Sequence, residues 1–421
     1  MRFQTLSDWL HWQEQLHPKS MELELERVRA VWQRLQDNAF ACPVIIVGGT
    51  NGKGSCVAML ESIYREAGYR VGSYTSPHIW RYNERIRIDG EPVTDADLCE
   101  AFEQVDRARE QTSLTYFEFG TLAALAIFQQ HALDVIILEV GLGGRLDAVN
   151  IIDADVAIIT SIDLDHTQWL GNDRAAIARE KAGILRANHI GIVADPVPPA
   201  TLVDYATSIQ SRLLCLGRDF DFHADGPGWS WHAGEQHRVG LPIPALSGVH
   251  QLRNAAAAIM AIDSLQTRLP VSQAHLRSGL LSVRLSGRFQ LMSGSIRQVF
   301  DVAHNPAAAS QLAATLRQAQ FGGAVHAVFS ALADKDIAGL VVPLCELVRH
   351  WHIAPLQDVG RGADLASMTG ALSKSCVAAS VSTYTDVQQA YTQAVDEACP
   401  GDTVLVYGSF YTVAQTCPHG L

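Results

Sequence analysis

The sequence has no excess of basic residues. Its 421 residues include 32 Lys and Arg against 44 Asp and Glu, which gives a formal net charge of −12 at pH 7. A general nucleic-acid-binding protein presents a basic face, so this balance argues against that class. A small anionic substrate remains compatible with it, because a few Arg and Lys residues can reverse the local field inside a cleft.

The sequence also lacks a clustered cysteine motif and an uninterrupted apolar run. Its eight cysteines are scattered, without a C-x-x-C pair. The most apolar region, residues 120–144, is interrupted by Gln129, His131, Asp134 and Glu139, which excludes a membrane span. The N-terminus has neither the basic start nor the apolar core of a signal peptide. We therefore predict a reduced, soluble, cytoplasmic protein that acts as a monomer, with no nucleic-acid or membrane partner.

The length exceeds one ordinary hydrophobic core, so two domains are expected. From Val44 onward, short β-rich runs alternate with helical patterns, which indicates a mostly parallel sheet with helices on its faces. The segment 220–241 is rich in Gly, Trp and His and favours irregular or hairpin structure. We predict an α/β fold with an N-terminal P-loop-type domain over residues 1–285 and a smaller Rossmann-like domain over 286–421.

The segment "VIIVGGTNGKGSC" places glycines between an apolar strand and a helical pattern. In such a turn the backbone N–H groups converge, and the helix N-terminus favours a phosphate. Lys53 is then expected to reach the terminal phosphates of a nucleotide. The alternative is a Gly-rich turn with a solvated lysine. Unlike the usual G-K-[ST] pattern, Lys53 is followed by Gly54, with Ser55 one position late, so the hydroxyl ligand for Mg²⁺ has to come from elsewhere.

Three later strand ends carry oxygen or nitrogen ligands. Ser76 follows the strand that comes next in the chain, and a position beside the neighbouring loop lets it supply the missing hydroxyl. Glu139 ends a buried strand, where a carboxylate needs a partner. Asp163, Asp165 and His166 follow another strand. Mg²⁺ prefers oxygen ligands, so a structural role for His166 and a simple turn at Ser76 remain alternatives.

Lys181 follows Arg179 and Glu180 on a helical pattern. The simplest interpretation is a charged, solvent-facing helix. A buried lysine can instead lose its proton and react with CO₂ to give a carbamate, which turns a cation into an anion able to help hold a metal.

These motifs resemble the folate branch of the Mur-type ATP-dependent amide ligases, closest to its bifunctional bacterial members. The resemblance covers nearly the whole chain, and its motifs occur in the family order: "GTNGKGS", "SPH", "LTYFEFGTLAAL", "LEVGLGGRLDAVN", "SIDLDHTQWLG", "REKAGI", "GRF" and "DVAHNP". A cell-wall Mur ligase would have Lys followed directly by Thr and would lack the long "EVGLGGRLDA" segment.

The resemblance implies roles for particular positions. It implies two Mg²⁺ ions, with Ser76 and Glu139 as ligands of the first and His166 as a ligand of the second, and it matches Lys181 to a lysine that is carbamylated in related enzymes. Lys53, Lys181 and His166 are the implied catalytic residues. The implied ATP-binding positions are Thr50, Asn51, Gly52, Lys53, Gly54, Ser55, Asn254, Arg288 and Asp301, with His304 near the nucleotide or the glutamate. The implied pterin-contacting positions are Met21, Glu22, Leu23, Thr115, Tyr116, Phe117, Glu118, Leu146, Asp147 and Ala148.

Some of these matches have plainer explanations when taken alone. Glu22 stands where the family pattern usually has Asp, which keeps the carboxylate. By itself the surrounding "MELELERV" is only the start of an amphipathic helix, and Arg288 is a surface arginine at a domain connection.

The function implied is addition of L-glutamate to dihydropteroate, and then to reduced folates, with ATP activating the acceptor as an acyl phosphate. Two alternatives stay open: a folylpolyglutamate synthase without activity on dihydropteroate, and a P-loop nucleotide switch without ligase chemistry.

Overall fold

The computed structural model describes residues 2–19, 21–35 and 39–416. They form two compact units. The N-terminal unit comprises the described residues up to Ala245 together with Leu252–Val283, and the C-terminal unit comprises Leu246–Gln251 together with the described residues from Arg284 onward.

The helices follow in chain order: α1 Leu6–Leu16, α2 Glu26–Leu35, α3 Lys53–Glu66, α4 Asp95–Arg109, α5 Tyr116–Gln129, α6 Thr167–Leu170, α7 Arg174–Ala182, α8 Ala200–Ser208, α9 Val249–Ser264, α10 Gln273–Ser282, α11 Pro306–Ala319, α12 Ile337–Val341, α13 Leu365–Ser375, α14 Val387–Glu397 and α15 Phe410–Ala414. Short 3₁₀ helices span Tyr82–Arg85, Ala148–Ile151 and Val342–Leu344.

The strands are β1 Val44–Gly48, β2 Val71–Tyr74, β3 Ile86–Ile88, β4 Glu91–Pro92, β5 Val135–Glu139, β6 Val156–Ile159, β7 Ile190–Val193, β8 Arg212–Cys215, β9 Asp221–Asp225, β10 Gly228–Ala233, β11 Gln236–Pro242, β12 Gln290–Met292, β13 Arg297–Phe300, β14 Val325–Phe329, β15 His350–Ile353, β16 Ser380–Thr383 and β17 Thr403–Tyr407.

The main sheet of the N-terminal unit has the strand order β4-β3-β2-β5-β1-β6-β7-β8. The pairs from β2 to β8 are parallel, and the β2–β3 and β3–β4 pairs are antiparallel. Every residue of β1 and β5 is buried, as expected for central strands covered on both faces. The predicted mostly parallel sheet is confirmed.

The strand order corrects one detail of the sequence prediction. Ser76 was expected beside the phosphate loop as the residue after a neighbouring strand, but β5 lies between β1 and β2. The sequence order of strands does not give their spatial order, because the helical connections of a parallel sheet can skip a position. The consequence is that Glu139 at the end of β5 lies between the loop after β1 and Ser76.

Residues 221–242 form a three-stranded antiparallel sheet in the order β11-β10-β9. The rings of Trp229 and Trp231 are fully buried on it. This favours the hairpin alternative over irregular structure for the segment 220–241.

The sheet of the C-terminal unit has the order β12-β13-β17-β14-β15-β16, parallel except for the β12–β13 pair. Its core contains Phe329, Trp351 and Tyr407 from three neighbouring strands. This is the smaller α/β domain expected from the second alternation of strands and helices.

Cys345 and Cys376 form a disulfide bond, with their Cα atoms 4.9 Å apart. The prediction of a fully reduced chain is therefore wrong for this pair. The two cysteines are 31 residues apart in sequence, and the packing of α13 against α12, which precedes the helical turn ending at Leu344, brings them together. Among the described residues, no helix is both long enough and apolar enough to cross a bilayer.

Candidate active site

The loop after β1 is fixed to the end of β6. The Thr50 backbone N–H donates to the Ser161 carbonyl at 2.7 Å, and Thr50 Oγ1 exchanges hydrogen bonds with the backbone of Asp163 at 3.0 and 3.1 Å. Thr160 Oγ1 donates to the Asn51 carbonyl at 2.7 Å. These bonds hold the loop in one shape at the N-terminus of α3, the end of a helix that favours a bound phosphate.

Gly52 makes the turn into α3 with φ of +89°. A Cβ atom at this position would lie 2.5 Å from Asn254 Oδ1, so the Asn254 side chain rests directly on the loop. Lys53 Nζ donates to the carbonyls of Gly49 and Thr50, both at 3.1 Å, which keeps the ammonium over the loop. Gly54 and Ser55 belong to the buried first turn of α3. The structure thus brings the predicted nucleotide-binding residues of this unit together.

Ser76 and Glu139 meet at the carboxyl edge of the same sheet. The Ser76 backbone N–H donates to Glu139 Oε2 at 3.2 Å, and Glu139 is 5% exposed. A carboxylate held at such a buried position, with a serine hydroxyl in the adjacent segment, is a donor set of hard oxygen atoms. Such a set suits Mg²⁺.

Lys181 is buried near the phosphate loop, at 3% exposure. The solvent-facing alternative is therefore wrong for this lysine. Burial and, to a smaller extent, the charge of Lys53 lower its pKa to about 7, while Asp165 and Asp147 act in the opposite direction. These four charged groups are therefore close enough to interact electrostatically, and Lys181 has the environment in which a neutral amine persists near pH 7.

His166 is the N-cap residue of α6, with φ of +50° in the left-handed region. Its backbone N–H donates to Asp165 Oδ1 at 2.8 Å, and its Nε2 lies 3.9 Å from Asp165 Oδ2. Backbone strain at a residue other than glycine is concentrated at functional sites. The geometry turns His166 and Asp165 towards each other next to the loop that β6 supports.

Two of the three predicted pterin segments come together through Arg27, which sequence reasoning missed. Its guanidinium contacts Glu22 Oε2 at 2.7 Å and Glu118 Oε1 at 2.8 Å. Met21, Glu22 and Leu23 precede α2, whereas Glu118 is buried in the first turn of α5, where it caps Thr115. An amphipathic pattern alone gives Arg27 no special place, because its two partners are distant in sequence.

Aromatic rings of the "TYFE" segment line the same region. The ring of Phe117 lies against Gly141, two residues after β5, where an added Cβ atom would lie 2.5 Å from the Phe117 Cζ atom. Tyr116 packs edge-on against Tyr82, with the guanidinium of Arg85 over both rings.

Asp147 fixes the loop between β5 and β6. It accepts from the backbone N–H groups of Leu142 at 2.8 Å and Val149 at 3.1 Å. Burial raises its pKa to about 7, although these hydrogen bonds and the charge of Lys53 lower it. Leu142 is the third residue after β5, the strand that pairs with β1, so the predicted segment of Leu146, Asp147 and Ala148 is bonded to a loop that leaves the same edge of the sheet as the phosphate loop.

In the C-terminal unit, Arg288, Asp301 and His304 are close together. Asp301 accepts from the backbone N–H groups of Phe289 and Ala303, both at 2.8 Å, and its burial raises its pKa while the charge of Arg288 lowers it. Arg288 and His304 both lie against the ring of Phe410, at 5.3 and 5.8 Å. Phe410 was not predicted, because its position 106 residues after His304 carries no local signal.

Two family models match the chain. The Mur ligase middle domain matches residues 47–262, and the glutamate ligase domain of the Mur ligases matches residues 287–410. The two matches place the chain among the Mur ligases, an ATP-dependent class of ligases.

Individual relatives show which family of Mur ligases the chain resembles. The dihydrofolate synthase/folylpolyglutamate synthase of Escherichia coli K12 is 44% identical over 410 residues, covering 97% of this chain and 94% of the relative. A structure of Escherichia coli FolC with DHPP and ADP has a TM-score of 0.92 at 44% identity, covering 98% of this chain and 96% of that one. A structure of a bifunctional folylpolyglutamate synthase/dihydrofolate synthase with Mn, AMPPNP and L-glutamate has a TM-score of 0.89 at 45% identity, covering 98% and 97%. The chain belongs to the dihydrofolate synthase/folylpolyglutamate synthase family.

Proposed function

We propose that the protein joins L-glutamate to dihydropteroate, giving dihydrofolate, and to reduced folates, giving polyglutamates, with conversion of ATP to ADP and phosphate. The observation that carries this proposal is the pairing of β1 with β5, in which Val47 stands opposite Glu139. The phosphate loop after β1 and the segment after β5, which contacts Phe117 at Gly141 and Asp147 at Leu142, therefore leave the same edge of the sheet. This supports a nucleotide site beside an acceptor site. The relatives bound to DHPP with ADP, and to L-glutamate with AMPPNP, support the same pair of ligands.

The reaction follows from the poor reactivity of a carboxylate. An acceptor carboxylate oxygen attacks the γ-phosphorus of ATP, so that the bond to the bridging oxygen of ADP breaks and an acyl phosphate forms. The glutamate amine then attacks the acyl carbon and loses a proton, and inorganic phosphate leaves with the original carboxylate oxygen. Lys53 and the N–H groups of the loop offset the charge on the transferred phosphoryl group.

The residues present fit the divalent ions that the family uses. Glu139, with Ser76 beside it, would hold one ion through hard oxygen atoms, and His166 with Asp165 would hold a second. When bound, such ions supply charge neutralisation at the phosphates. Arg27, Glu118 and the ring of Phe117 would orient the acceptor.

Lys181 is a candidate for carbamylation. Its amine is buried and has a pKa of about 7, so a large fraction is neutral and able to attack CO₂ at physiological pH. The product would be an anion next to Lys53 and Asp165, in a position to help bind the second ion.

We assign residues 1–285 to ATP and pterin binding and residues 286–421 to glutamate ligation. Asn254 is proposed to contact the nucleotide because it rests on Gly52. In the C-terminal unit, Arg288 and Asp301 are proposed nucleotide contacts, and His304 is a proposed contact of the nucleotide or the incoming glutamate.

The proposal is tested by incubating the purified chain with ATP and L-glutamate and adding dihydropteroate or tetrahydrofolate monoglutamate in separate reactions. Each reaction should release ADP only when both acceptor and glutamate are present. Carboxylate-labelled dihydropteroate (¹⁸O) should pass one labelled oxygen to inorganic phosphate. Extension of the folate with no product from dihydropteroate would show a folylpolyglutamate synthase alone, and ADP release that ignores both substrates would indicate a nucleotide switch.

A further inference from the structure

We propose that His326, His352 and Glu397 form a binding site for a transition-metal ion such as Zn²⁺ in the C-terminal unit. His326 lies on β14, His352 on β15, and Glu397 is the last residue of α14. His326 pairs with His350 across the two strands, and His352 comes two residues later, so all three histidines project from the same face of the sheet.

The ligand atoms have the spacing of a metal site. His326 Nδ1 and His352 Nε2 are 3.4 Å apart, and His352 Nε2 is 3.9 Å from Glu397 Oε2. The three ligand atoms all lie within 4.8 Å of one another. Tetrahedral zinc with Zn–N bonds of about 2.0–2.1 Å places its ligand atoms about 3.4 Å apart. The histidine pair already has this separation, and the half-exposed Glu397 side chain needs to move only slightly to complete the site.

The outer ring nitrogens also have partners of the kind that zinc sites use. His326 Nε2 lies 3.6 Å from Asp402 Oδ2, and His352 Nδ1 lies 3.0 Å from the hydroxyl of Tyr384. Metal-binding histidines typically donate their other N–H to a carboxylate or another oxygen, which fixes the tautomer and ring orientation. This second layer distinguishes the cluster from a chance group of polar side chains.

The identity of the ion follows from the ligand chemistry. Two imidazoles and a carboxylate favour Zn²⁺, Co²⁺ or Ni²⁺ over Mg²⁺. Burial lowers the pKa of both histidines, that of His352 to about 4, so both are neutral and have a free lone pair near pH 7. A cavity of about 790 Å³, lined among others by His326, His350, Glu397 and Asp402, gives an ion access to the site.

The cluster is separate from the proposed ligase residues of this unit. His326 is the second residue of β14, at the amino end of the sheet, whereas Asp301 and His304 follow the carboxyl end of the parallel strand β13. An ion here would join β14, β15 and α14, and we therefore assign it a structural role.

Metal binding by the stripped full-length protein tests the proposal. Zn²⁺ is titrated calorimetrically with excess Mg²⁺ present to occupy the nucleotide site, and Co²⁺ is titrated with the visible d–d absorption of a four-coordinate ion as readout. The variants are Glu397→Gln and His352→Asn, which remove ligands. The matched control is Glu346→Gln, which changes an exposed glutamate of the same unit that lies outside the ligand set. Glu139→Gln separates this site from the proposed Mg²⁺ site.

The wild type, Glu346→Gln and Glu139→Gln should all bind one Zn²⁺ at this site, with a rise in Tm and a tetrahedral Co²⁺ spectrum. Glu397→Gln should weaken binding by about 10-fold or more, and His352→Asn should abolish it. Because Glu397 is half-exposed, its variant should fold even if His352→Asn does not. Absence of Zn²⁺ binding in the wild type, or unchanged binding in Glu397→Gln, would show that the two histidines form only a hydrogen-bonded pair.

Discussion

Lys53 is the residue on which phosphoryl transfer depends most in this account. Its ammonium is held over the phosphate loop by the carbonyls of Gly49 and Thr50. Lys53→Ala should lower kcat for ligation by at least about 10²–10³-fold, since one preorganised electrostatic contact to the transition state is typically worth that much. Lys374→Ala, which removes an exposed lysine near the end of α13, is the control and should keep wild-type turnover. Near-normal ADP release by Lys53→Ala would refute the assignment.

Lys181 gives a prediction about pH. Its pKa of about 7 means that the neutral fraction rises from about one tenth at pH 6 to about nine tenths at pH 8. Carbamate formation from ¹³C-labelled bicarbonate should rise over the same range, because only the neutral amine reacts. The ¹³C NMR signal should be missing in Lys181→Met. A carbamate signal that this variant retains, or none in the wild type at pH 8, would contradict the proposal.

The lowered pKa of Lys181 also makes the stability of the folded protein depend on pH. The unfolded lysine takes up its proton near pH 10.5, whereas the folded one does so only near pH 7. The contribution of Lys181 to stability is therefore fully present above pH 10.5 and is lost as the pH falls towards 7.

Arg27 joins two of the three segments of the proposed pterin site, those of Glu22 and Glu118. Arg27→Gln should raise KM for dihydropteroate by about 10-fold and leave KM for ATP unchanged, because Glu22 and Glu118 lose the guanidinium that holds them together. Arg29→Gln, an exposed arginine of the same helix, is the matched control. Equal effects of the two substitutions, or an effect on ATP alone, would place Arg27 outside the acceptor site.

The sequence predicted those site residues whose neighbours in the chain form a recognisable motif. Lys53 and Glu139 stand in a Gly-rich turn and at the end of an apolar strand, where chemistry and position agree. Arg27 and Phe410 act through partners that the fold supplies, so the pattern around each one is ordinary. Lys181 had a charged helical pattern typical of a solvent-facing residue, and only the resemblance pointed to its burial.

At the scale of the element, the turn between β1 and α3 can be tested by comparing two glycine substitutions. Gly52 and Gly68 have nearly the same backbone conformation, with φ of +89° and +87°. Replacing either by Ala should cost about 1 kcal/mol from the left-handed backbone. Only at Gly52 does the new Cβ atom also meet Asn254, whereas at Gly68 no described atom outside its chain neighbours lies within 4 Å.

Gly52→Ala should therefore weaken ADP binding by at least about 10-fold. Gly68→Ala should lower Tm by about as much as Gly52→Ala does, but without changing the affinity for ADP. Calorimetric Kd values for ADP and the two Tm values make the comparison. Loss of ADP affinity in both variants would mean that general destabilisation, and not the position of Asn254, governs binding.

Strands and helices were predictable from periodicity because each is dictated by its own residues. The apolar runs of β1 and β5 and the capped start of α5 at Thr115 are examples. The order of the strands was not predictable in the same way, since it depends on which helical connections cross the sheet. The position of β5 between β1 and β2 is the clearest case, and it puts Glu139, and not Ser76, at the end of the strand next to β1.

At the scale of the whole molecule, the chain divides into two α/β units with separate cores. The sequence contains two successive series of alternating strand and helix patterns, and these were enough to predict the two units. The Cys345–Cys376 bond and the histidine cluster on β14 and β15 were not visible in the sequence, because their members are brought together only by packing within the C-terminal unit.

Mass spectrometry of the products formed from ATP, L-glutamate and dihydropteroate tests the central claim most directly. The account predicts a new species heavier than dihydropteroate by one glutamyl residue, formed with one ADP per amide bond, and longer products when tetrahydrofolate is the acceptor. Unchanged dihydropteroate and unchanged tetrahydrofolate, from a folded protein that binds ADP, would contradict it.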